Sequence, residues 1–232
     1  MGGGSTFPQH GFTLREAKES DLDDMTRIHI EGFTEEPQVH YCFPLRKQYP
    51  TDHWRWTRKE YQNYLEQPEK YLVHLLEATT ESNDKVVTRP TGLAVWNLAV
   101  LTKATGPDPN LAERKDSDRK RCEAFGQAAG QRFQTYFAQW AEEQINLSAL
   151  VVHPDYRRRG GGTQLVNWGL TAAEEKRWPV TLCASPMGQL LYAHLKFHKF
   201  ATEVVQVEGE EEILESAVMA RPFDKLPQTV AS

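Results

Sequence analysis

Residues 145–177 have the pattern of a strand, a glycine-rich turn and a helix, and this unit constrains the fold more than any other segment. The apolar run over 145–152 predicts a strand, and an apolar stripe at helical spacing predicts a helix over 160–177. The turn between them reads Arg157-Arg158-Arg159-Gly160-Gly161-Gly162-Thr163. A turn that opens a helix presents unpaired backbone N–H groups and the positive end of the helix dipole to one point in space. We therefore expect a phosphate group to bind there.

The side chains of this turn favour the same interpretation. Its glycines let the backbone approach a ligand closely, and its arginines add positive charge. A P-loop would require Lys after the last glycine, and a dinucleotide-binding turn would require a third glycine three residues on. Thr163 and Leu165 occupy those positions, so both familiar phosphate loops are excluded. Taken alone, the turn is as well explained by a basic surface loop that starts a helix.

Hydrophobic periodicity elsewhere predicts short strands alternating with helices. In chain order, the expected elements are a strand at 12–15, a helix from residue 20, a helix at 52–66, strands at 71–77 and 92–100 around a hairpin loop at 79–90, a strand at 145–152, a helix at 160–177, a strand at 180–184, a helix at 186–195, and strands at 199–207 and 217–220 around an acidic loop at 208–212. Seven strands among helices place the chain in the α/β (α+β) class with a mixed central sheet.

A change of composition over 103–144 marks a helical insertion between the third and fourth strands. The Gly-Pro-Asp-Pro sequence at 106–109 breaks the chain, and the second half of the insertion places Phe133, Phe137 and Trp140 on one face of a helix. We interpret this aromatic face as the surface that docks the helix on the domain body. Lining a substrate pocket is the alternative, and the two roles are compatible.

Charge and cysteine content exclude several classes of protein. The net charge of the 232-residue chain is −5 at pH 7, so no broad basic surface favours binding to nucleic acid. Its three cysteines, Cys42, Cys122 and Cys183, are odd in number and far apart, which argues against a disulfide framework or a cysteine metal knuckle. We therefore expect a reduced, cytoplasmic setting.

The sequence also argues against a membrane protein. No apolar run approaches the roughly 20 residues of a membrane helix, and the first residues lack the pattern of a signal peptide. Residues 1–6, Met-Gly-Gly-Gly-Ser-Thr, match the loose pattern for myristoylation. A flexible Gly/Ser leader explains them at least as well, and a single acyl chain without a polybasic patch anchors a protein weakly. We expect no membrane partner.

The segments that flank the turn resemble a known family. His153-Pro154-Asp155-Tyr156 precedes the turn, and Ser185-Pro186-Met187-Gly188-Gln189-Leu190-Leu191-Tyr192 follows it. The turn itself contains the signature Arg157-x-x-Gly160-x-Gly162. Together these segments resemble the GNAT superfamily of N-acetyltransferases, and most closely its single-domain members from filamentous fungi. The resemblance is strongest over 145–200 and diffuse over 12–100.

This resemblance implies an acyltransferase that moves the acetyl group of acetyl-CoA directly to a primary amine of a small molecule or peptide. The transfer would occur in a ternary complex, without a covalent acetyl-enzyme. The implied architecture is a flexible leader at 1–11, a single domain at 12–222 with a splayed sheet and an acetyl-CoA-binding core at 145–200, and a tail at 223–232. The residues expected to hold the cosubstrate are Leu150, Val151, Val152, Arg157, Arg158, Arg159, Gly160, Gly161, Gly162, Thr163 and Ser185.

Tyr192 matches the tyrosine with which the family protonates the departing coenzyme A thiolate. A phenol with a pKa of about 10 is protonated at neutral pH and able to donate. Packing on an amphipathic helix is the alternative role for an aromatic residue at this position. An N–H group of the strand at 150–152, aimed at the acetyl oxygen, would stabilise the oxyanion that forms on attack.

The general base is unassigned, because Cys183 and Ala184 stand where many relatives carry a glutamate. Glu31, Glu35 and Glu36 lie near the expected substrate-side loop, but we interpret all three as surface charge. An alkylammonium ion has a pKa near 10, so some group must take its proton. We interpret Cys183 as a small buried strand residue rather than a nucleophile.

Two further features depart from simple expectation. Lys196 stands where the family carries a glycine after the last helix. If that glycine has a positive φ, Lys196 is strained or the helix ends differently. His40 and His53 lie among aromatic residues with no carboxylate or cysteine at ligand spacing, so we expect no metal.

Three hypotheses for function follow. The first is an active acetyl-CoA-dependent N-acetyltransferase, working as a monomer or homodimer. The second is a non-catalytic module of the same fold that binds or senses acyl-CoA, which the missing glutamate favours. The third is a structural α/β domain whose turn binds nothing.

Overall fold

The structure, a computed structural model, describes residues 11–82, 85–98 and 110–223. The strands within these residues are β1 (Gly11–Glu16), β2 (Tyr71–Ser82), β3 (Lys85–Asn97), β4 (Ile145–Val152), β5 (Val180–Ala184), β6 (His198–Gln206) and β7 (Ile213–Arg221). The helices are α1 (Leu22–Gly32), α2 (Pro37–Cys42), α3 (Pro50–Leu65), α4 (Arg119–Arg132), α5 (Gly161–Lys176) and α6 (Pro186–His194). The leader at 1–10, the chain break at 106–109 and the tail at 224–232 lie outside the described residues.

The strands form one mixed sheet in the order β1-β2-β3-β4-β5-β7-β6. Neighbouring strands are antiparallel except β4 and β5, which run parallel. β4 pairs with β3 from Asn146 to Val152 but pairs with β5 only over 145–147. Ser148 is an extra residue in β4 that makes a bulge, and a bulge bends a strand. The ladder between β4 and β5 thus stops before β4 ends, which confirms the expected α/β fold with a splayed, seven-stranded sheet flanked by helices.

Helices cover both faces of the sheet because alternate residues of each strand point into two apolar clusters. One cluster contains Leu165 of α5 and Trp96 of β3. The other contains Met25 of α1, Leu75 of β2 and Val151 of β4. The helix at the glycine-rich turn is therefore fixed to the sheet by its apolar stripe, which leaves its amino end at the open edge of β4.

The expected hairpin loop at 79–90 is wrong. β2 continues to Ser82 and β3 begins at Lys85, with Thr79 paired to Thr88 and Thr80 paired to Val87. The two threonine hydroxyls of the first pair lie 3.0 Å apart. The polarity of this run predicts a loop, but its β-branched residues favour extended backbone, and a strand that projects into solvent has no need of apolar alternation.

The insertion joins β3 to β4, as expected, and residues 110–144 of it are described. α4 leads into a π-helical turn at Phe133–Phe137 and a 3-10 turn at Ala138–Trp140, so the aromatic residues do not lie on one regular helix. Phe133 and Phe137 are buried against Val218 of β7. These contacts support the interpretation of the aromatic face as a docking surface.

A buried ionic cluster fastens the start of the insertion to α3. Asp116 is fully buried, and its carboxylate accepts hydrogen bonds from the Arg114 guanidinium at 2.6 and 3.0 Å. Nδ1 of His53 lies 2.7 Å from the same carboxylate, and Arg114 stacks over the Phe43 ring. Burial alone would raise the pKa of Asp116, but the hydrogen bonds from His53 and Arg114 outweigh burial and lower the pKa to about 2.

Lys196 has the left-handed conformation that a glycine favours at the end of a helix, with φ 66°. Its N–H donates to the Ala193 carbonyl at 3.1 Å, and the Phe197 N–H donates to the Tyr192 carbonyl at 2.9 Å. This pair of bonds is a Schellman turn, which requires positive φ at the position of Lys196. α6 therefore ends as it would with a glycine, and Lys196 bears the strain.

Lys196→Gly is expected to raise the free energy of unfolding by about 1 kcal/mol, because glycine adopts positive φ without a steric cost. Urea denaturation measures the change. Lys196→Ala is the matched control, since alanine loses the charged side chain but keeps the Cβ atom. Equal stability of the two variants would contradict the strain at this position.

Candidate functional site

The glycine-rich turn lies between the end of β4 and the start of α5. A 3-10 turn at Pro154–Tyr156 follows β4, and Gly160 is the N-cap of α5. Gly160 has φ 86°, and a Cβ atom placed there would meet open space. The N–H groups of the next three residues have no carbonyl partner within the helix, because the residues four positions before them lie outside it. This helix start therefore offers amide donors and a positive dipole end to an anion.

The three arginines of the turn differ in their surroundings. Arg157 is half-buried, and its Nε donates to the Val152 carbonyl at 3.0 Å while its Nη2 donates to the Gly32 carbonyl. These bonds tie β4 to the end of α1, which is not the phosphate contact expected of Arg157. Arg158 and Arg159 are exposed and add positive potential at the turn.

The carboxyl end of β4 is open on the side that faces β5. Beyond Leu147, the described ladder pairs β4 with β3 alone, so backbone groups that point toward β5 can bind a ligand. The Val152 carbonyl is the exception, since Arg157 binds it. A Cβ atom at Gly32 would lie 2.2 Å from Cγ2 of Val151, so glycine alone allows α1 to approach β4 this closely.

Tyr192 lies on α6 with its side chain buried. Its ring packs edge-on against Phe197, with 5.5 Å between the ring centroids. Burial raises the pKa of Tyr192, and the charge of Glu36 raises it further. The neighbouring residue Leu191 faces Gly162, since a Cβ atom there would lie 3.3 Å from Leu191 Cδ2. α6 therefore packs beside the start of α5, and its next residue is a buried tyrosine whose phenol stays protonated.

Glu36 enters this region from the segment between α1 and α2. The side chain of Ser185 and the charge of Arg157 both act on its carboxylate and favour the ionised form. Burial raises the pKa of Glu36, and these two partners offset part of the increase. The interpretation of Glu36 as surface charge is wrong. Glu35, in contrast, is exposed.

Two signals in the sequence bear on this carboxylate. Glu36 precedes Pro37, and a residue before proline is extended while proline favours the first turn of a helix, so the pair predicts a helix start. Ser185 precedes Pro186 in the same way and caps α6 by accepting the Gly188 N–H at 3.4 Å. Neither signal predicts that the starts of α2 and α6 lie close together in space.

The cysteines do not form a nucleophilic site. Burial raises the pKa of the Cys183 thiol, which disfavours the thiolate and supports its interpretation as a strand residue. Cys42 and Cys122 are far apart in sequence but meet in the structure, where Sγ of Cys122 donates to the Cys42 carbonyl at 3.3 Å. All three thiols are free.

Among residues 11–82, 85–98 and 110–223, no three His, Cys, Asp or Glu side chains are grouped so that they could hold a metal ion. None of the helices in those ranges combines the length and apolar content of a membrane-spanning segment.

Comparison with known proteins identifies relatives of this chain. Residues 119–186 match the model of the Acetyltransferase (GNAT) family, a span that includes β4, the glycine-rich turn, α5 and Ser185. A protein named Acetyltransferase from the fungus Stachybotrys chartarum is 26% identical over 211 residues, which cover 88% of this chain and 88% of that protein.

Solved structures share the fold at lower identity. Mosquito arylalkylamine N-acetyltransferase like 5b has a TM-score of 0.63 at 16% identity, over 91% of this chain and 99% of its own. Histone acetyltransferase HPA2 and related acetyltransferase from Corynebacterium glutamicum has a TM-score of 0.58 at 18% identity, over 93% of this chain and 98% of its own.

Proposed function

Because residues 119–186 match the Acetyltransferase (GNAT) family and a fungal acetyltransferase is similar along most of the chain, we propose that the protein transfers the acetyl group of acetyl-CoA directly to a primary amine of a small molecule or peptide. One observation supports this proposal: the unpaired amides at the start of α5 follow directly on the open end of β4, and Leu191 of α6, the residue before Tyr192, packs against that helix start. The name of the mosquito protein supports an amine acceptor, since that N-acetyltransferase has the same fold.

The described residues fit acetyl-CoA. The pyrophosphate carries negative charge, which the amides after Gly160 and the exposed Arg158 and Arg159 would bind. β5 does not pair with residues 150–152 of β4. The pantetheine arm would run along this stretch and take the place of a neighbouring strand. A strand N–H directed at the acetyl oxygen would stabilise the negative charge that develops when an amine attacks.

Tyr192 is proposed to act on the sulfur of coenzyme A. Its raised pKa lies above the roughly 8.5 of a thiol, so complete proton transfer to a solvated thiolate is uphill. A hydrogen bond from Tyr192 to the sulfur stabilises the charge that develops as the C–S bond breaks, without requiring complete transfer. Tyr192 thus donates a hydrogen bond to the leaving sulfur and keeps its proton, and solvent can supply the proton that converts the thiolate to the thiol.

A thiol-release assay tests the proposed function. The protein is incubated with acetyl-CoA and each member of a panel of amines, polyamines, amino acids, peptides and aminoglycosides. We expect release of coenzyme A with at least one class, and an acetylated amine detected by mass spectrometry. Acetyl-CoA binding without thiol release would favour the non-catalytic acyl-CoA module. If excess coenzyme A did not raise the thermal stability, both functions would be contradicted.

Gly160→Asp is expected to weaken coenzyme A binding about 10- to 100-fold, because a carboxylate at the start of α5 repels the pyrophosphate. Titration calorimetry measures the affinity. Gly160→Asn is the matched control, since asparagine has the same size and also tolerates positive φ but carries no charge. An equal loss in both variants would contradict the role of charge at this turn.

A further inference from the structure

Ser148 lies where β4 separates from β5. The last pair between the two strands joins Leu147 to Leu182, and Ser148 is the next residue of β4 and the extra residue of its bulge. Its side chain is exposed. The hydroxyl of Ser148 can therefore contact a ligand that enters the gap between β4 and β5.

Side-chain hydrogen bonds connect this hydroxyl to the end of the insertion. Oγ of Ser148 lies 3.1 Å from Oδ1 of Asn146. Nδ2 of Asn146 lies 3.1 Å from Oγ1 of Thr181, its partner across the β4–β5 ladder. Oγ1 of Thr181 lies 3.0 Å from Oε1 of Gln144, the last residue of the insertion. These side chains thus form one continuous hydrogen-bonded chain.

Backbone carbonyls of the insertion fix the direction of every bond in this chain. A carbonyl oxygen only accepts, so Nε2 of Gln144 donates both of its protons, to Phe137 at 2.9 Å and to Ala141 at 2.8 Å. Oε1 of Gln144 then accepts the hydroxyl proton of Thr181. Oγ1 of Thr181 accepts in turn from Nδ2 of Asn146, which leaves Oδ1 of Asn146 to accept the proton of the serine hydroxyl.

The Ser148 oxygen therefore presents lone pairs to the gap. A serine hydroxyl has one proton, and here that proton is donated to Asn146. Among the side chains of the described residues, no donor lies within hydrogen-bond distance of this oxygen. An oxygen held in this orientation suits an N–H group, whereas a ligand with acceptor atoms alone would find no donor in it.

The hydrogen-bonded chain lies on the face of the sheet away from α5. Leu147 and Leu182 point into the apolar cluster that contains α5, so the side chains before them in β4 and β5, Asn146 and Thr181, point to the opposite face. Ser148 lies two residues before Leu150, a separation of roughly 6–7 Å along a strand. An amine beside an acetyl group at 150–152 is thus within reach of the Ser148 hydroxyl.

We propose that Ser148 binds an N–H group of the acceptor amine, and that Gln144 is a positioning residue that holds the Ser148 hydroxyl in its accepting orientation. This proposal rests on the proposed transfer reaction and gives the insertion a role in binding the acceptor. Gln144 and Thr181 are fully buried, so both act on the amine through Asn146 and Ser148.

Ser148→Ala tests the contact with the amine, because alanine removes the hydroxyl from an exposed position and leaves the core intact. With the amine of the panel that releases coenzyme A fastest, we expect the KM for the amine to rise about 10- to 100-fold, as for a lost hydrogen bond to a charged group. The KM for acetyl-CoA should not change, and kcat should change little. Steady-state kinetics of thiol release give the three constants.

Two variants serve as controls for Ser148→Ala. Ser148→Thr keeps a hydroxyl and a residue that favours strands, so it should retain most of the affinity for the amine. Ser20→Ala removes an exposed hydroxyl from the segment before α1 and should leave all three constants unchanged. An unchanged KM for the amine in Ser148→Ala, or an equal loss in the alanine and threonine variants, would overturn the proposed contact.

A double-mutant cycle tests the positioning role. Gln144→Met keeps the length of the side chain but breaks the chain at its start, and Thr181→Val breaks it one residue later with less change of shape. Each should raise the KM for the amine about 3- to 10-fold in the wild-type background and have no further effect in Ser148→Ala, since both act through that hydroxyl. Circular dichroism identifies the variants that are folded.

The same increase in both backgrounds would assign Gln144 and Thr181 to packing and overturn their positioning role. If Gln144→Met does not fold, Thr181→Val completes the cycle alone. Lack of turnover by the wild-type protein with every amine of the panel would instead overturn the proposed function and this proposal with it. Turnover by the wild type with an unchanged KM in Ser148→Ala would overturn this proposal alone.

Discussion

Asp116→Ala is expected to lower the free energy of unfolding by about 3–5 kcal/mol, because it breaks a buried ionic cluster by removing one partner. The side chains of Arg114 and His53 are 8% and 5% exposed, so neither can turn to water when the carboxylate is lost. Their hydrogen-bond donors would remain buried and unpaired. The insertion would also lose its attachment to α3.

Urea denaturation measures this loss, with Asp155→Ala as the control. The Asp155 side chain is 82% exposed, so its removal should change stability by less than about 0.5 kcal/mol. If Asp116→Ala cost no more than the control, the cluster would not stabilise the fold.

The pH dependence of stability provides a second readout of the same cluster. The pKa of Asp116 is lowered to about 2 in the folded state, below the roughly 3.9 of an unfolded chain. A lowered folded pKa stabilises the protein above the unfolded pKa, and this contribution disappears as the pH falls from about 4 to about 2. Asp116→Asn should therefore lose less stability than the wild type over that interval.

Tyr192→Phe is expected to lower kcat about 100- to 1000-fold while leaving the affinity for acetyl-CoA unchanged. Phenylalanine keeps the packing against Phe197, so the variant removes the hydroxyl and little else. The reduction appears in kcat because the hydroxyl acts on charge that develops only as the C–S bond breaks. Steady-state kinetics of thiol release, with acetyl-CoA binding measured separately, give the two quantities.

Tyr71→Phe is the control for Tyr192. Tyr71 is also a tyrosine whose pKa is raised by burial, but it pairs with Asn97, and Asn97 pairs with Asn146 at the opposite end of β4 from the open backbone. The Tyr71→Phe variant should release coenzyme A at the wild-type rate. Full activity of Tyr192→Phe would assign Tyr192 to packing alone.

Features that depend on a few neighbouring residues could be predicted from the sequence. The strand, turn and helix around Gly160 follow from an apolar run, glycines and helical periodicity, all of which act over a few residues. The strain at Lys196 is of the same kind, because a Schellman turn is a local backbone geometry. The length of the β2–β3 hairpin does not follow from polarity, because the extended preference of its threonines and valines outweighs the polar character of the run.

The contacts of Arg157 and Glu36 depend on the tertiary structure instead. Arg157 is directly followed by two other arginines in the same turn. Of the three, Arg157 donates a hydrogen bond to the Gly32 carbonyl, because α1 approaches β4 closely beside it. The side chain of Ser185 lowers the pKa of Glu36 although 149 positions of sequence separate the two residues, an influence that only the folded chain reveals.

The sequence by itself determined the backbone of the glycine-rich turn and the placement of Tyr192 on a helix after it. Those features arise from steric and hydrogen-bonding preferences within single elements. Only the tertiary structure decided which glutamate is half-buried, which arginine is engaged and where β4 separates from β5. Burial and electrostatic environment depend on the packing of distant segments, and one residue's neighbours in sequence carry little information about them.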